Sequence, residues 1–333
     1  MDSILRQIGR DVRGYAGLVR KNPISEVVQE LRLTQEYGSQ LPNYGDDAAV
    51  IPWGDSYLLL AADGMMTELL INEPFAAGKA SVMVTVNDIY AMGGRPLGMV
   101  NVLASGVEAQ RSQIVSGIAK GCHKLKVPML GGHLHPDTAA EHPALSVSIL
   151  GSAQKLLRSH LAQTGDKIVL AVDLEGRAGC SSVSSWDANS RKSSEELLAR
   201  LEVLPSLAER ELVFACKDIS NAGLLGTIAI MMENSGTGAL IDCPSIPKPA
   251  SLDLRSWLLC FQSYGFVLCV NSKNSKEVLD MFSRQKITAQ VIGEVLEEPK
   301  VQLQDGKEVE LLFDFTKEII TGISIKSSFL ENR

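Results

Sequence analysis

The residues of this chain best suited to chemistry are acids placed where the sequence is otherwise apolar or tightly turned. Gly45-Asp46-Asp47-Ala48-Ala49-Val50 sets two adjacent carboxylates ahead of a hydrophobic stretch, and Asp63 closes the run Leu58-Leu59-Leu60-Ala61-Ala62. Asn87-Asp88 interrupts an apolar segment, with Val82-Met83-Val84-Thr85-Val86 before it and Ile89-Tyr90-Ala91-Met92 after it. Lys217-Asp218 follows Phe214-Ala215-Cys216. An isolated buried carboxylate is very unfavourable, so each of these needs hydrogen-bond donors, a cationic partner or a metal ion. Should several converge, two ionised carboxylates about 4 Å apart repel by roughly 4 kcal/mol at an effective dielectric of about 20, and a divalent cation reverses that sign. Oxygen donors without His or Cys suit Mg²⁺, which commonly bridges protein carboxylates to substrate phosphates. Taken singly, each acid also fits a structural reading: Asp46 or Asp47 as a turn residue, Asp63 as a strand-end cap, Asp218 at a helix start near the positive end of its dipole.

Other signatures are missing. Gly78-Lys79 lacks the glycine a phosphate-binding loop needs five positions earlier, where Glu73 stands, and Gly236-Thr237-Gly238 is followed by Ile241 where a dinucleotide fingerprint needs Gly. His133 and His135 are two residues apart and would face the same way on an extended segment, but zinc would require a third ligand. His133 reads either as a contact to nucleotide or substrate or as part of a surface turn before Pro136. Lys217 reads either as a neutraliser of phosphate or as a solvated surface charge. The six cysteines include no C-x-x-C pair and four sit in apolar runs, which predicts buried, reduced thiols.

Alternating elements must position these residues. The pattern predicts a strand at 57–62, a helix at 76–92 ended by Gly93-Gly94 and Pro96, a strand at 97–104, a helix at 108–125, and strands at 127–130 and 144–153. After a polar connection at 156–165 a second α/β series follows: strand 167–172, helix 193–210, strand 212–216, helix 220–233, strand 239–242, helix 252–260, then strand, helix and strand at 266–270, 275–282 and 289–295. Asp305-Gly306 marks a closing hairpin. Residues 1–40 are helical in pattern, with Ile24, Val27, Val28, Leu31 and Leu33 on one face, and the Ser- and Gly-rich segment 176–194 reads as a loop. The expectation is an α/β (α+β) protein of two domains, 1–155 and 156–333, in line with roughly 150 residues per domain for 333 residues.

Composition narrows the function. Lys and Arg number 32 against 39 acids, a net charge of −7, and aromatics are only 5%, so neither a basic stripe nor stacking platforms for nucleic acid are evident. No uncharged stretch is apolar enough to span a bilayer and no apolar segment follows the Met-Asp start, so no membrane partner and a cytoplasmic location are expected.

In order along the chain, Gly45-Asp-Asp-Ala-Ala-Val50, Ala62-Asp63, Val86-Asn-Asp-Ile-Tyr-Ala-Met-Gly-Gly-Arg-Pro96, Gly131-Gly132-His133 and Lys217-Asp-Ile-Ser-Asn-Ala-Gly-Leu-Leu-Gly226 resemble the aminoimidazole ribonucleotide (AIR) synthetase superfamily. Its members, the PurM-like proteins, include selenophosphate synthetase, thiamine-monophosphate kinase and a hydrogenase maturation dehydratase. The N-D-I-x-A-M-G-G-x-P element is the specific part. The resemblance implies a two-domain protein that dimerises through its N-terminal domains and binds ATP and Mg²⁺ in a cleft between domains. It makes Asp46, Asp47, Asp63, Asp88 and Asp218 metal- and phosphate-site carboxylates, and has Asn87, Gly93, Gly94, Gly131 and Gly132 line the nucleotide or substrate cleft. Asp88, His133 and Lys217 become the residues expected at the reacting groups, and the activity an ATP-dependent phosphoryl transfer to a small molecule.

Departures set the chain apart from the motifs of particular members. The first cysteine is Cys122, where selenophosphate synthetases carry an N-terminal cysteine loop; Asp218-Ile-Ser-Asn-Ala-Gly223 stands where thiamine-monophosphate kinases read D-I-S-D-G-L; and Gly131-Gly132-His133-Leu134 replaces the G-G-E-T of AIR synthetase. The segments Ser185-Trp-Asp-Ala-Asn-Ser190 and Phe261-Gln-Ser-Tyr-Gly-Phe266 are similar instead to a bacterial AIR-synthase-like subfamily. A thiamine-monophosphate kinase-like enzyme and a non-catalytic nucleotide-binding partner protein are the alternatives.

Overall fold

The structure is a computed structural model and describes residues 3–31, 34 and 45–325. The chain forms two compact units. They are interleaved rather than sequential halves: one holds Asp47–Leu156 and Gly176–Glu209, the other the described residues up to Asp46 together with Leu157–Glu175 and those from Arg210 on. Three helices open the chain and belong to the latter unit: α1 (Ile4–Arg13), α2 (Ala16–Val19) and α3 (Ile24–Leu31).

The unit beginning at Asp47 is built on a five-stranded sheet ordered β1-β2-β5-β3-β4, from β1 (Ala49–Trp53), β2 (Ser56–Gly64), β3 (Arg95–Ala104), β4 (Met129–His135) and β5 (Ala144–Ala153). Its neighbours run antiparallel except β3 and β4, which are parallel. The register puts Val50, Leu59, Ala61, Met99, Val147 and Ile149 on one buried face. After α4 (Thr67–Asn72), α5 (Pro74–Ala91) packs against β2, β3 and β5, and α6 (Glu108–Leu125) packs against α5. Glycines set how closely the two helices approach. A Cβ at Gly78 would lie 2.1 Å from the Ile114 carbonyl oxygen, and one at Gly117 2.1 Å from that of Phe75. Gly78 therefore serves helix crossing, which accounts for a Gly-Lys pair outside any phosphate-binding loop.

The opposite face of this sheet is open. Ile51, Leu60, Val100, Val102 and Leu150 are each 38–48% exposed there. Gly131, His133 and His135 of the edge strand β4 share their side of the sheet by register.

β6 (Lys167–Val172) belongs to the other unit, and the chain then returns through β7 (Arg177–Ala178), β8 (Ser185–Asp187), α7 (Ser194–Leu201) and α8 (Val203–Glu209). Ion pairs and carboxylate bonds attach this return. Glu73 Oε1 accepts the Ser181 and Ser182 amides at 2.8 and 3.0 Å and both hydroxyls, and Arg95 binds Glu202 and Glu209. The helix predicted at 193–210 is two helices, because Pro205 can enter only the first turn of a new one.

The second unit centres on a seven-stranded sheet ordered β15-β14-β10-β13-β6-β12-β9. Its remaining elements are β9 (Ala215–Asp218), α9 (Gly223–Ser235), β10 (Gly238–Asp242), α10 (Leu254–Leu258), β11 (Phe261–Gln262), β12 (Gly265–Val270), α11 (Ser275–Arg284), β13 (Thr288–Leu296), β14 (Lys300–Asp305) and β15 (Glu308–Asp314). Every residue of β12 and of α9 is buried, which explains their unbroken apolar runs. Within α9, the Glu233 carboxylate accepts the backbone N–H groups of Ile320, Thr321 and Gly322 at 2.8, 2.8 and 3.1 Å, so a buried acid here fastens the C-terminal segment. α1 buries Leu5, Ile8 and Val12 and packs on β15. No residue of α3 is buried despite its apolar pattern: Val27 is 57% and Leu31 54% exposed, and Leu33 lies outside the described residues. No disulfide joins any of the six cysteines. Among the described residues no helix is long and apolar enough to cross a membrane.

Candidate functional site

Asp47 and Asp88 come together. Asp88 occupies the last turn of α5 at 8% exposure beside Asn87 at 2%, and Asp47 stands two residues ahead of β1. Their carboxylate oxygens lie within 4.8 Å of each other. Two ionised carboxylates at that range repel by roughly 3 kcal/mol at an effective dielectric of about 20. The arrangement therefore favours a cation. The donors are hard carboxylate oxygens, the kind Mg²⁺ takes. Asp63 sits on β2 opposite Val147, half-buried on the sheet face that α5 covers, and is not part of this close pair.

Asp46 has protein partners on both carboxylate oxygens. Its carboxylate takes Arg158 Nε at 2.6 Å on Oδ2 and the Ser159 amide at 2.8 Å on Oδ1, with the Ser159 hydroxyl at 3.1 Å and His160 Nδ1 at 3.4 Å. Burial opposes its ionisation, but the neighbouring His160 ring and the Arg158 charge outweigh it and hold the acid below the usual carboxylate range. Its oxygens are thus already engaged within the second unit. The sequence reading passed over Arg158-Ser159-His160; the signal available was a cationic and polar triplet in a short connection that otherwise had no role.

Asp218 ends β9 at 4% exposure, and Lys217 before it is buried rather than solvated, with Nζ 3.5 Å from the Gly45 carbonyl oxygen. Gly93 and Gly94 have a place in the helix end. Gly93 has φ +77 and donates to Tyr90, Gly94 donates to Ile89, and both close the end of α5. Their N–H groups are therefore engaged by the helix. A Cβ at Gly94 would meet the Leu59 Cδ1 methyl at 2.3 Å and the Ser152 carbonyl oxygen at 3.0 Å, so the packing around this glycine is tight.

Gly131 and Gly132 lie on edge strand β4, where a Cβ at Gly132 would come 2.6 Å from the Asn101 carbonyl oxygen. His133 is exposed and meets His135 edge-on with ring centroids 4.5 Å apart. Among the described residues no third His, Cys, Asp or Glu joins them as a ligand set.

Comparison with known proteins bears on the whole chain. Residues 45–153 match the N-terminal domain of the AIR synthase related protein family, and residues 163–306 its C-terminal domain. The chain belongs to this family. A protein of Methanocaldococcus jannaschii described as uncharacterized is 40% identical over 96% of this chain and 99% of its own length. A thiamine-monophosphate kinase of Synechococcus elongatus is 27% identical over 80% of this chain and 88% of its own. Among solved structures, Thermotoga maritima PurL complexed with ATP superposes with a TM-score of 0.73 at 18% identity, over 93% of this chain and 51% of that one. At that identity the likeness establishes the fold, the two-domain PurM-like α/β architecture of AIR synthase related proteins.

Proposed function

We propose that this AIR synthase related protein is a Mg²⁺- and ATP-dependent phosphoryl-transfer enzyme acting on a small-molecule acceptor. The observation that carries this reading is the close approach of the Asp47 and Asp88 carboxylates, one of them in a helix otherwise built for burial. Asp47 and Asp88 hold the cation, and Asp218 is the third acid that the family motif adds to them. When bound, Mg²⁺ neutralises the β and γ phosphates of ATP, the main need of phosphoryl transfer. Asn87 is fixed in the same turn of α5 and offers an amide beside the pair. Lys217 supplies a positive charge that burial keeps undamped by water. The relatives that use ATP support the cofactor, and the likeness to a thiamine-monophosphate kinase makes thiamine monophosphate the first acceptor to try.

The test is acceptor-dependent release of ADP from ATP with Mg²⁺, across thiamine monophosphate, small acids, amides and phosphorylated heterocycles. Turnover with one acceptor should fall by about a hundredfold or more in Asp88→Asn, since losing even an outer-sphere partner costs up to that much. Nucleotide binding without turnover on any acceptor would favour a non-catalytic partner protein instead.

The open face of the five-stranded sheet also fits a second copy of this chain, as the family resemblance implies. Apolar side chains on its central strands are exposed there in a contiguous set, an arrangement that marks association surfaces.

A further inference from the structure

We propose that Asp46 is the positioning residue of the cation site and not one of its ligands: paired with Arg158, it fixes the Gly45-Asp46 turn and so determines where the next residue, Asp47, presents its carboxylate. The proposal rests on the cation-site reading of Asp47 and Asp88 given above.

The two adjacent acids have opposite surroundings. The Asp46 side chain is 1% exposed and those of Arg158 and His160 are 7% and 8% exposed. Moving an Asp46 oxygen onto a metal ion would break its 2.6 Å bond to Arg158, or its bond to the Ser159 amide, inside a buried cluster, and disrupting a buried ion pair is costly. Asp46 is therefore committed where it stands.

The residue before it is held as firmly. The Gly45 carbonyl oxygen faces the Ser159 hydroxyl at 3.1 Å, the Asn234 amide at 3.1 Å and Lys217 Nζ at 3.5 Å. Asn234 also donates to the Ser159 hydroxyl at 3.1 Å, so Ser159 links the Gly45 carbonyl, the Asp46 carboxylate and the end of α9. Gly45 has φ +68, and a Cβ there would lie 2.5 Å from Asn234 Nδ2, so the turn admits glycine alone. Backbone and side chain of the turn are thus anchored from Arg158-Ser159 and from Asn234 at the same time. One peptide bond separates this anchor from Asp47. Ligand geometry must be held to about 0.5 Å, and groups behind the ligands commonly provide that precision.

The experiment is a titration with Mn²⁺, an oxygen-seeking stand-in for Mg²⁺ whose free ion is counted by electron paramagnetic resonance. It is run on the intact protein and on Asp47→Asn, Asp46→Asn, Arg158→Lys and Ser159→Ala, each checked for folding by circular dichroism. Asp47→Asn should abolish binding. Asp46→Asn should weaken it by about 10- to 100-fold, the range seen when groups behind a metal ligand are removed, without abolishing it. Arg158→Lys keeps a cation against Asp46 and should fall between wild type and Asp46→Asn. Should Asp46→Asn prove unfolded, Ser159→Ala decides: it removes only the hydroxyl link and should weaken Mn²⁺ binding about tenfold. Two results would overturn the proposal alone: Asp46→Asn folded and as devoid of binding as Asp47→Asn, which makes it a ligand, or lowered thermal stability with unchanged Mn²⁺ affinity in the folded variants, which makes it only structural. Wild-type protein that binds no Mn²⁺ would overturn the cation-site reading itself, and the proposal with it.

Discussion

Asp46 and Asp47 are neighbours with the same side chain, yet one is held by Arg158 and Ser159 while the other approaches Asp88. The sequence shows that the Asp-Asp pair needs partners, but only the fold brings a residue 112 positions away to one of them. The same limit applies to Gly93-Gly94, read as a helix end from the sequence and, by family resemblance, as lining for the ligand cleft. Hydrogen bonds to Tyr90 and Ile89 show the helix end. Glu73 shows how an acid outside the pair is used. The Ser182 amide leads the bonds that hold its carboxyl below the usual range, against the opposing effect of burial. A group with a lowered folded-state pKa stabilises above its ordinary value, here 4.5, and that contribution is lost as pH falls through the lower folded value. Hydrogen exchange at the Ser181 and Ser182 amides, corrected for intrinsic rates, should stay protected above pH 4.5 and accelerate below it. Glu73→Gln should remove the step; a step that persists in this variant would assign it to another group.

At the level of elements, α5, α6, β5 and β6 were legible almost to the residue because their apolar periods are long and their ends carry Gly, Pro or a switch to polar residues. β1 was passed over as a strand. With Pro52, Gly54 and an edge position it lacks the alternation that marks a half-buried strand. β4 extends to His135 instead of stopping near residue 130, since its Gly131-Gly132 pair reads as a break but is tolerated on an edge. The α5–α6 contact offers a direct check. Ala in place of Gly gains about 1 kcal/mol of helix propensity, whereas overfilling a tight contact costs about 1–3 kcal/mol. At Gly117 the new Cβ would meet backbone at 2.1 Å, so the cost wins, and Gly117→Ala should destabilise by about 2 kcal/mol in urea unfolding. Gly64→Ala, with nothing within 4 Å, should change stability by less than about 0.5 kcal/mol. Equal effects at the two positions would contradict the account of the helix crossing.

At the scale of the whole molecule, composition argued against nucleic acid as a partner, and the ordered set of acids pointed to the family. What composition could not show is that the chain returns to its first unit after β6, because the Glu73 and Arg95 contacts that attach residues 176–209 join positions about a hundred residues apart. The open sheet face predicts a homodimer. Light scattering should give twice the 35.9 kDa of one chain, and Val102→Arg, which puts a charge on that face, should give a single chain's mass. An unchanged dimer in that variant would place the contact elsewhere. The central claim, that Asp47 and Asp88 share a cation that brings ATP to this protein, is tested most directly by calorimetric titration with the non-hydrolysable analogue AMPPCP. Binding should require Mg²⁺ and should be lost in Asp88→Asn; binding that is the same without Mg²⁺, or the same in Asp88→Asn, would contradict it.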